Sequence, residues 1–255
     1  MDSPGIDSSQ PSTNQTWVDQ FVMHNWETRR GKALFVCRLI LIISALIFCI
    51  YNAATGLALP FGRVECMWDG LHWWTESANL YFQEHSTERN TIVIVTSLII
   101  DALLFNFAYR YTLWGCTWRP FVFVMLFYGF RTFCQTIFLM RYPDGLTWSY
   151  PGFPSVVVPY VNSSDFFFSG HLGILTFLLL ENRESKDTLM TWVSVVSIAF
   201  EFWMMVVLRA HYTIDLISGI VFAHYIWIIS KKPGLWLDQR IGYTSHTAAR
   251  NKKIL

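Results

Sequence analysis

The chain carries little charge. Of its 255 residues only 15% are Asp, Glu, Lys or Arg, while 53% are hydrophobic and 17% are aromatic. A soluble domain carries about a quarter of its residues charged, and a fold of this length has no interior large enough to hide so much apolar surface. An ordinary water-soluble globule is therefore excluded. The net charge of +1 gives no hint of the basic field that nucleic-acid binding uses. The five cysteines (Cys37, Cys49, Cys66, Cys116 and Cys134) share no paired spacing. That argues against a disulfide framework or a thiolate metal site and leaves each as a free, buried thiol. No His-Glu-x-x-His or comparable ligand pattern occurs among the seven histidines, so no metal or other cofactor is expected. A Gly-x-Ser-x-Gly nucleophile elbow, an internal repeat and a low-complexity tract are also missing.

What the chain does have is six apolar runs, at roughly 33–59, 91–113, 118–140, 166–180, 189–208 and 213–230. Several approach the ~20 residues that a helix needs to cross a bilayer. The expectation is an all-α, polytopic membrane protein with six transmembrane helices. The fourth run is short; either Val156 to Val161 extends it or the bilayer thins locally. Between the second and third runs, Trp114-Gly115-Cys116 is nearly all the turn there is. Residues 1–32 are polar, with Ser3, Pro4, Ser8, Ser9, Pro11 and Ser12, and are expected to form a largely disordered cytosolic tail. They lack a signal core and a cleavage site, so the first span is expected to serve as its own insertion signal. Residues 33–231 form one membrane domain, with a motif-bearing core at 120–231, and residues 232–255 form a cytosolic C-terminal tail.

Basic residues set the orientation. With both termini in the cytosol, thirteen lysines and arginines fall on the cytosolic side. Four, Arg63, Arg89, Arg141 and Arg209, fall on the other, and Arg38 and Arg131 lie within spans. This parity puts His171, at the start of the fourth span, and His211, in the turn before the sixth, on the same exoplasmic face. The non-cytosolic segments 60–90 and 141–165 are long. The second holds Pro143, Gly145, Pro151, Gly152, Pro154 and Pro159, which makes it a structured loop, and loops of that length usually exist for a function. The first holds Trp68, Trp73, Trp74, Tyr81 and Phe82.

The residues able to do chemistry cluster at the rims of the later spans. On a helix, His211 and Asp215 are i and i+4 and share a face. A carboxylate there fixes the imidazole tautomer, frees the other nitrogen for attack and stabilises the imidazolium. The alternative is an interfacial histidine beside an Asp that caps a helix turn. His171 is the second imidazole, or an interfacial histidine on a polar helix end. Gly170 lets a ligand approach the backbone, and Ser169 with the free amides of a helix N-terminus can hold phosphate oxygens. Ser169 is a poor nucleophile, since its side chain points away from His171 two residues on. Asp165 borders the fourth span, as its N-cap or as part of the substrate site. Arg131 and Gln135 lie at i and i+4 in the third span, where an arginine usually marks a pathway or site; pairing of Arg131 with Asp101 is the structural alternative. Glu201, costly as an anion in the fifth span, is protonated against a helix or meets a cation in a polar cavity. His72, His85, His224, His24 and His246 have no partner spacing and receive no role.

At these motifs the sequence resembles the lipid phosphotransferases related to type-2 phosphatidic acid phosphatases, and within them the sphingomyelin synthase branch, which includes the plant phosphatidylcholine:diacylglycerol cholinephosphotransferases. Asp165-Phe-Phe-Phe-Ser169-Gly170-His171 is similar to the motif Cys-Gly-Asp-x-x-x-Ser-Gly-His-Thr, and His211-Tyr-Thr-Ile-Asp215 matches His-Tyr-Thr/Ser-Ile-Asp throughout. The resemblance is specific over roughly 120–231. It implies that His211, oriented by Asp215, attacks the phosphodiester of a phospholipid donor. His171 then protonates the departing diacylglycerol oxygen and later deprotonates the hydroxyl of a lipid alcohol acceptor, diacylglycerol or ceramide. It implies no metal, six spans, an exoplasmic site and a multi-pass protein of the endoplasmic reticulum or Golgi membrane. Ser163-Ser164 replaces the Cys-Gly pair and Leu172 the threonine, which bears on the acceptor and head group. The phosphatase branch is the runner-up. It clamps a phosphate dianion with a Lys-x-x-x-x-x-x-Arg-Pro motif and a second arginine. Here Arg119-Pro120 is present, but Thr112 and Met205 stand at the other two cation positions. A monoester dianion needs those cations more than a diester does. A catalytically inactive membrane scaffold is the third reading.

Overall fold

A computed structural model describes residues 29–54, 68–138, 140–158, 160 and 166–241. The sequence readings of the N-terminal tail before 29, of residues 242–255, of Asp165 and of the Asn162-Ser163-Ser164 sequon lie outside the described residues. Those residues form helices only: α1 Arg29–Ala54, α2 Gly70–Trp74, α3 Glu76–Glu84, α4 Ser86–Trp114, α5 Arg119–Ile137, α6 Gly170–Glu184, α7 Thr188–Val207, α8 Thr213–Ile229 and α9 Lys231–Ile241. Four stretches among them are long and apolar enough to cross a membrane: α4, α5, α7 and the run Thr213–Ile241. Only 28–33% of each of these is buried within the protein. Their outward faces expose Leu98, Phe105, Met125, Phe133, Val196 and Trp203, and a surface of that kind is matched to lipid rather than water.

The centre of the bundle is α6. Every residue from Leu172 to Leu178 is buried, as expected of a helix apolar on all sides. At 15 residues it is shorter than the ~20 of an isolated span, and α4, α5, α7 and α8 surround it. Phe123 and Phe177 stack with ring centroids 4.3 Å apart. A Cβ on Gly173 would overlap the Phe127 ring, so the glycine is what lets α5 lie against α6.

The fourth run is displaced from its expected position. The sequence places it at 166–180, but the helix runs from Gly170 to Glu184. It starts late because Phe167 adopts φ 121°, a conformation a helix cannot contain, and Ser169 then caps the first turn, accepting from the Leu172 amide at 3.4 Å. It ends late because its acids are neutralised. Arg119 pairs with Glu181 at 2.6 Å and Glu184 at 2.5 Å, and the Trp227 indole donates to Glu181 at 2.8 Å. The C-terminal segment expected as a cytosolic tail from 232 begins as a helix, α9, which runs to Ile241. It docks because Asp238 accepts from the Thr117 hydroxyl and the Trp118 amide, both at 2.7 Å.

Alternate loops gather at opposite ends of the bundle. At one end, Asn79 of α3 donates to the carbonyls of Gly145 (3.0 Å) and Val207 (2.8 Å), and the Thr147 amide donates to the Leu208 carbonyl at 2.9 Å. The α2–α3 segment, the loop 141–158 and the α7–α8 turn thus meet there. At the other end, Arg110 pairs with Asp187 at 2.8 Å and Arg119 with the end of α6. Asp101 within α4 is taken up by the loop. It accepts from the Ser155 hydroxyl (2.9 and 3.0 Å) and from the amides of Val156 (3.0 Å) and Val157 (3.1 Å). A buried carboxylate in a span is expensive, and three donors from one loop offset that cost while folding the loop over the bundle.

Candidate active site

His171 is the second residue of α6 and His211 lies in the turn before α8. The structure brings the two rings together, with centroids 6.0 Å apart and planes at 71°. Both sit in an aromatic wall. Trp148 meets His171 edge-on at 5.6 Å, and Phe166 meets His211 at 5.9 Å. Both ring nitrogens of His171 and Nδ1 of His211 are buried and have no hydrogen-bond partner among the described residues. Buried polar atoms normally find partners, and an imidazole left with open nitrogens is available to a reacting group.

His211 and Asp215 do not share a helix. Tyr212 is extended (φ −72°, ψ 151°) and α8 begins at Thr213, so His211 precedes the helix and Asp215 occupies its first turn. The carboxylate is fully buried. One oxygen accepts from the Tyr212 amide at 3.1 Å and the other from the Phe167 amide at 3.1 Å. His211 Nδ1 is 3.7 Å from the oxygen that takes Tyr212, longer than a hydrogen bond. Catalytic hydrogen bonds are often loose without substrate, and 3.7 Å still puts the anion where an imidazolium would form. Asp215 is thus both the cap of α8 and the neighbour of His211. Helix capping, one of the two alternatives read from the sequence, is realised by this side chain, and the same side chain lies beside His211.

The N-terminus of α6 is strapped to α8. The Ser169 amide donates to the Asp215 carbonyl at 2.9 Å, and Ser218 donates to the Phe167 carbonyl at 2.6 Å. A Cβ on Gly219 would come within 2.7 Å of the Ser169 carbonyl oxygen, so only glycine allows this approach. At Gly170 a Cβ would lie 3.2 Å from the Arg131 guanidinium carbon, a tight contact that the arginine relieves by shifting a few tenths of an ångström. Arg131 also donates to the Phe168 carbonyl at 3.4 Å, which brings a cation to the start of α6 beside His171. Gln135 lies one turn further along α5, partly buried. Glu201 is fully buried in α7, and neither of its oxygens has a hydrogen-bond partner among the described residues; no hydrogen bond or ion pair among those residues joins it to the histidines.

Sequence reasoning missed Asp69 and His72. The His72 Nε2 contacts the His211 carbonyl at 2.9 Å; a carbonyl only accepts, so Nε2 carries the proton. The ring stacks on Tyr212 with centroids 5.7 Å apart, and burial pushes its pKa down, against the opposing pull of Asp69. Asp69 accepts from the Thr213 amide at 2.6 Å and its hydroxyl at 2.7 Å. Although burial acts to raise it, these bonds and the nearby His72 hold its carboxyl below the ordinary value. Burial likewise lowers Arg209, which sits at φ 57° and pairs with Glu76 at 2.6 Å. The available signal was the spacing Asp69, His72, Glu76, Asn79 in an otherwise aromatic segment, a polar stripe at helical period. The metal-free expectation remains an expectation; among the described residues no group of three or more His, Cys, Asp or Glu side chains is arranged to hold a metal ion.

In comparison with known families, residues 163–232 match the family described as PAP2 superfamily C-terminal. The matched segment holds both histidines, Asp215 and the strap between α6 and α8, and it supports a relation to the type-2 phosphatidic acid phosphatase superfamily. No curated protein and no solved structure matches the chain.

Proposed function

We propose that this chain is an integral membrane phosphotransferase that moves a phospho-head group, phosphocholine first among them, from phosphatidylcholine to diacylglycerol or ceramide through a phosphohistidine. The observation that carries the reading is the pair of open imidazoles 6.0 Å apart with a buried carboxylate beside one of them. A phosphorus in near-attack contact about 3–3.5 Å from one nitrogen, with its leaving oxygen about 2.9 Å from the other, spans a gap of that order. In the first step a His211 nitrogen bonds to phosphorus as the bond to the diacylglycerol oxygen breaks. Protonated His171 delivers its proton to that oxygen, and Asp215 stabilises the cationic ring. In the second step neutral His171 takes the acceptor hydroxyl's proton, the new oxygen–phosphorus bond forms, and His211 is released. Arg131 and the N-terminus of α6 at Ser169 and Gly170 are the places for the diester's oxygens, with Gln135 beside them. Asp165 and Glu201 complete the proposed substrate contacts, Glu201 as the partner of a cationic head group. In this reading all six apolar runs span the bilayer of the endoplasmic reticulum or Golgi, both termini face the cytosol, and the site opens on the lumenal side.

One observation weighs against the phosphatase reading. Arg119, the arginine of that branch's clamp, is held by Glu181 and Glu184. Glu181 stands ten residues beyond His171 on the same helix, about 15 Å along its axis. The site therefore lacks that clamp, which suits a diester monoanion better than a monoester dianion. The test is a lipid assay on the purified protein, offering head-group-labelled phosphatidylcholine with diacylglycerol or ceramide. The expected result is labelled phosphatidylcholine carrying the distinct acyl chains of the added diacylglycerol, or labelled sphingomyelin; with phosphatidic acid offered in parallel, release of free phosphate and neither of those products would replace the transferase with the phosphatase.

A further inference from the structure

We propose that α2 and α3 form a positioning device for the His211 ring, acting through His72 and Asp69; the inference rests on the reading of His211 as nucleophile. The α7–α8 turn is held at every second residue, 207, 209, 211 and 213, from this segment. Asn79 donates to the Val207 carbonyl at 2.8 Å, and Glu76 takes Arg209 at 2.6 Å. His72 donates to the His211 carbonyl at 2.9 Å, and Asp69 takes both Thr213 donors at 2.6 and 2.7 Å. Positions 69, 72, 76 and 79 line one face of the segment, while Trp73 and Trp74 on its other side are exposed. Helices of five and nine residues have no stability of their own, so this face exists through the turn it grips.

The two innermost contacts bracket His211 itself. His72 fixes the carbonyl of the residue that bears the imidazole, and Asp69 fixes the amide two residues on. With both set, the ring stands 6.0 Å from that of His171 and its Nδ1 3.7 Å from Asp215. Proximity chemistry is sensitive to such placement: about 1 Å of misplacement costs about 100-fold in rate. The segment lies outside 163–232, so the first half of the chain supplies a working part of a site otherwise built from the second.

The experiment compares wild type, His72→Ala, His72→Gln and His211→Ala in the full chain, using phosphatidylcholine with a labelled head group. Turnover, KM and thermal unfolding are measured on each. His72→Ala is expected to lower kcat about 10–100-fold with KM for the donor within about twofold, because substrate contacts remain. His72→Gln, whose amide places a donor near the position of Nε2, is expected to recover most of that loss. Should His72→Ala fail to fold, Thr213→Val removes one of the two Asp69 bonds and is expected to lower kcat several-fold without changing KM. Wild-type kcat in folded His72→Ala or Thr213→Val, or a glutamine variant as slow as the alanine one, overturns the positioning role while His211→Ala is inactive. If His211→Ala turns over like wild type, the proposed function itself falls, and the inference with it.

Discussion

Asp215 has two oxygens and three claims on them. Both face backbone amides, of Tyr212 and Phe167 at 3.1 Å each, and His211 Nδ1 stands 3.7 Å from one of them. An amide in its place would keep an acceptor on one side and turn an N–H toward an N–H on the other. Asp215→Asn is therefore expected to do two things at once. Leaving a buried donor unsatisfied costs about 1–3 kcal/mol of stability, and losing the anion beside His211 lowers kcat by about 10²–10⁴-fold. Thermal unfolding and single-turnover kinetics on the same preparation separate the two. A variant that melts early but turns over normally would leave Asp215 as a helix cap alone. The Phe167 amide explains why the carboxylate had to be an acceptor at both oxygens. That residue sits at φ 121°, a conformation costing about 1–3 kcal/mol that persists only where its surroundings impose it. Asp215 and Ser218 hold its amide and carbonyl from one turn of α8.

Among the elements, α4, α5, α7 and α8 were legible because each is a long apolar run ended by polar or turn residues, and the run alone decides it. The limits of α6 were not legible, because both are set from elsewhere in the fold: the start by Phe167 against Asp215, the end by Arg119. The α2–α3 segment was not legible either. Its helices exist through contacts 128 to 144 positions away in sequence, and short-range pattern carries no such information. That is also why His72 received no role while His171 and His211, marked by local motifs, did. Arg119 shows the same dependence at the level of energy. It is buried and neutralises a buried Glu181, so Arg119→Met strands a carboxylate inside the bundle at a cost of about 3–5 kcal/mol. The expected outcome is a lower melting temperature with unchanged turnover per folded molecule. A phosphate-clamping arginine would give the reverse, lost turnover at unchanged stability, so one variant separates the two enzymatic readings.

At the scale of the whole molecule, the geometry separates two ends and the charge count assigns them. The end with Arg110, Arg119, Arg183, Lys186, Lys231 and Lys232 is the basic one, which the positive-inside rule places in the cytosol. In the proposed orientation the end with α2, the loop 141–158 and the two histidines faces the other compartment. The proposed transfer then has its donor present the head group from the lumenal leaflet and its acceptor reach that same leaflet. Sidedness is checked in a cysteine-free background by single cysteines at exposed positions. Trp74 and Tyr150 are exposed at the histidine end, and Arg183 and Lys232 at the basic end. In sealed microsomes with the cytosolic face outward, an impermeant maleimide is expected to label Arg183→Cys and Lys232→Cys at once. Trp74→Cys and Tyr150→Cys are expected to react only after permeabilisation. Labelling all four from outside would break the two-ended arrangement, and labelling only Trp74→Cys and Tyr150→Cys would invert it. Inversion would leave the two-histidine chemistry intact and move its substrates to the cytosolic leaflet.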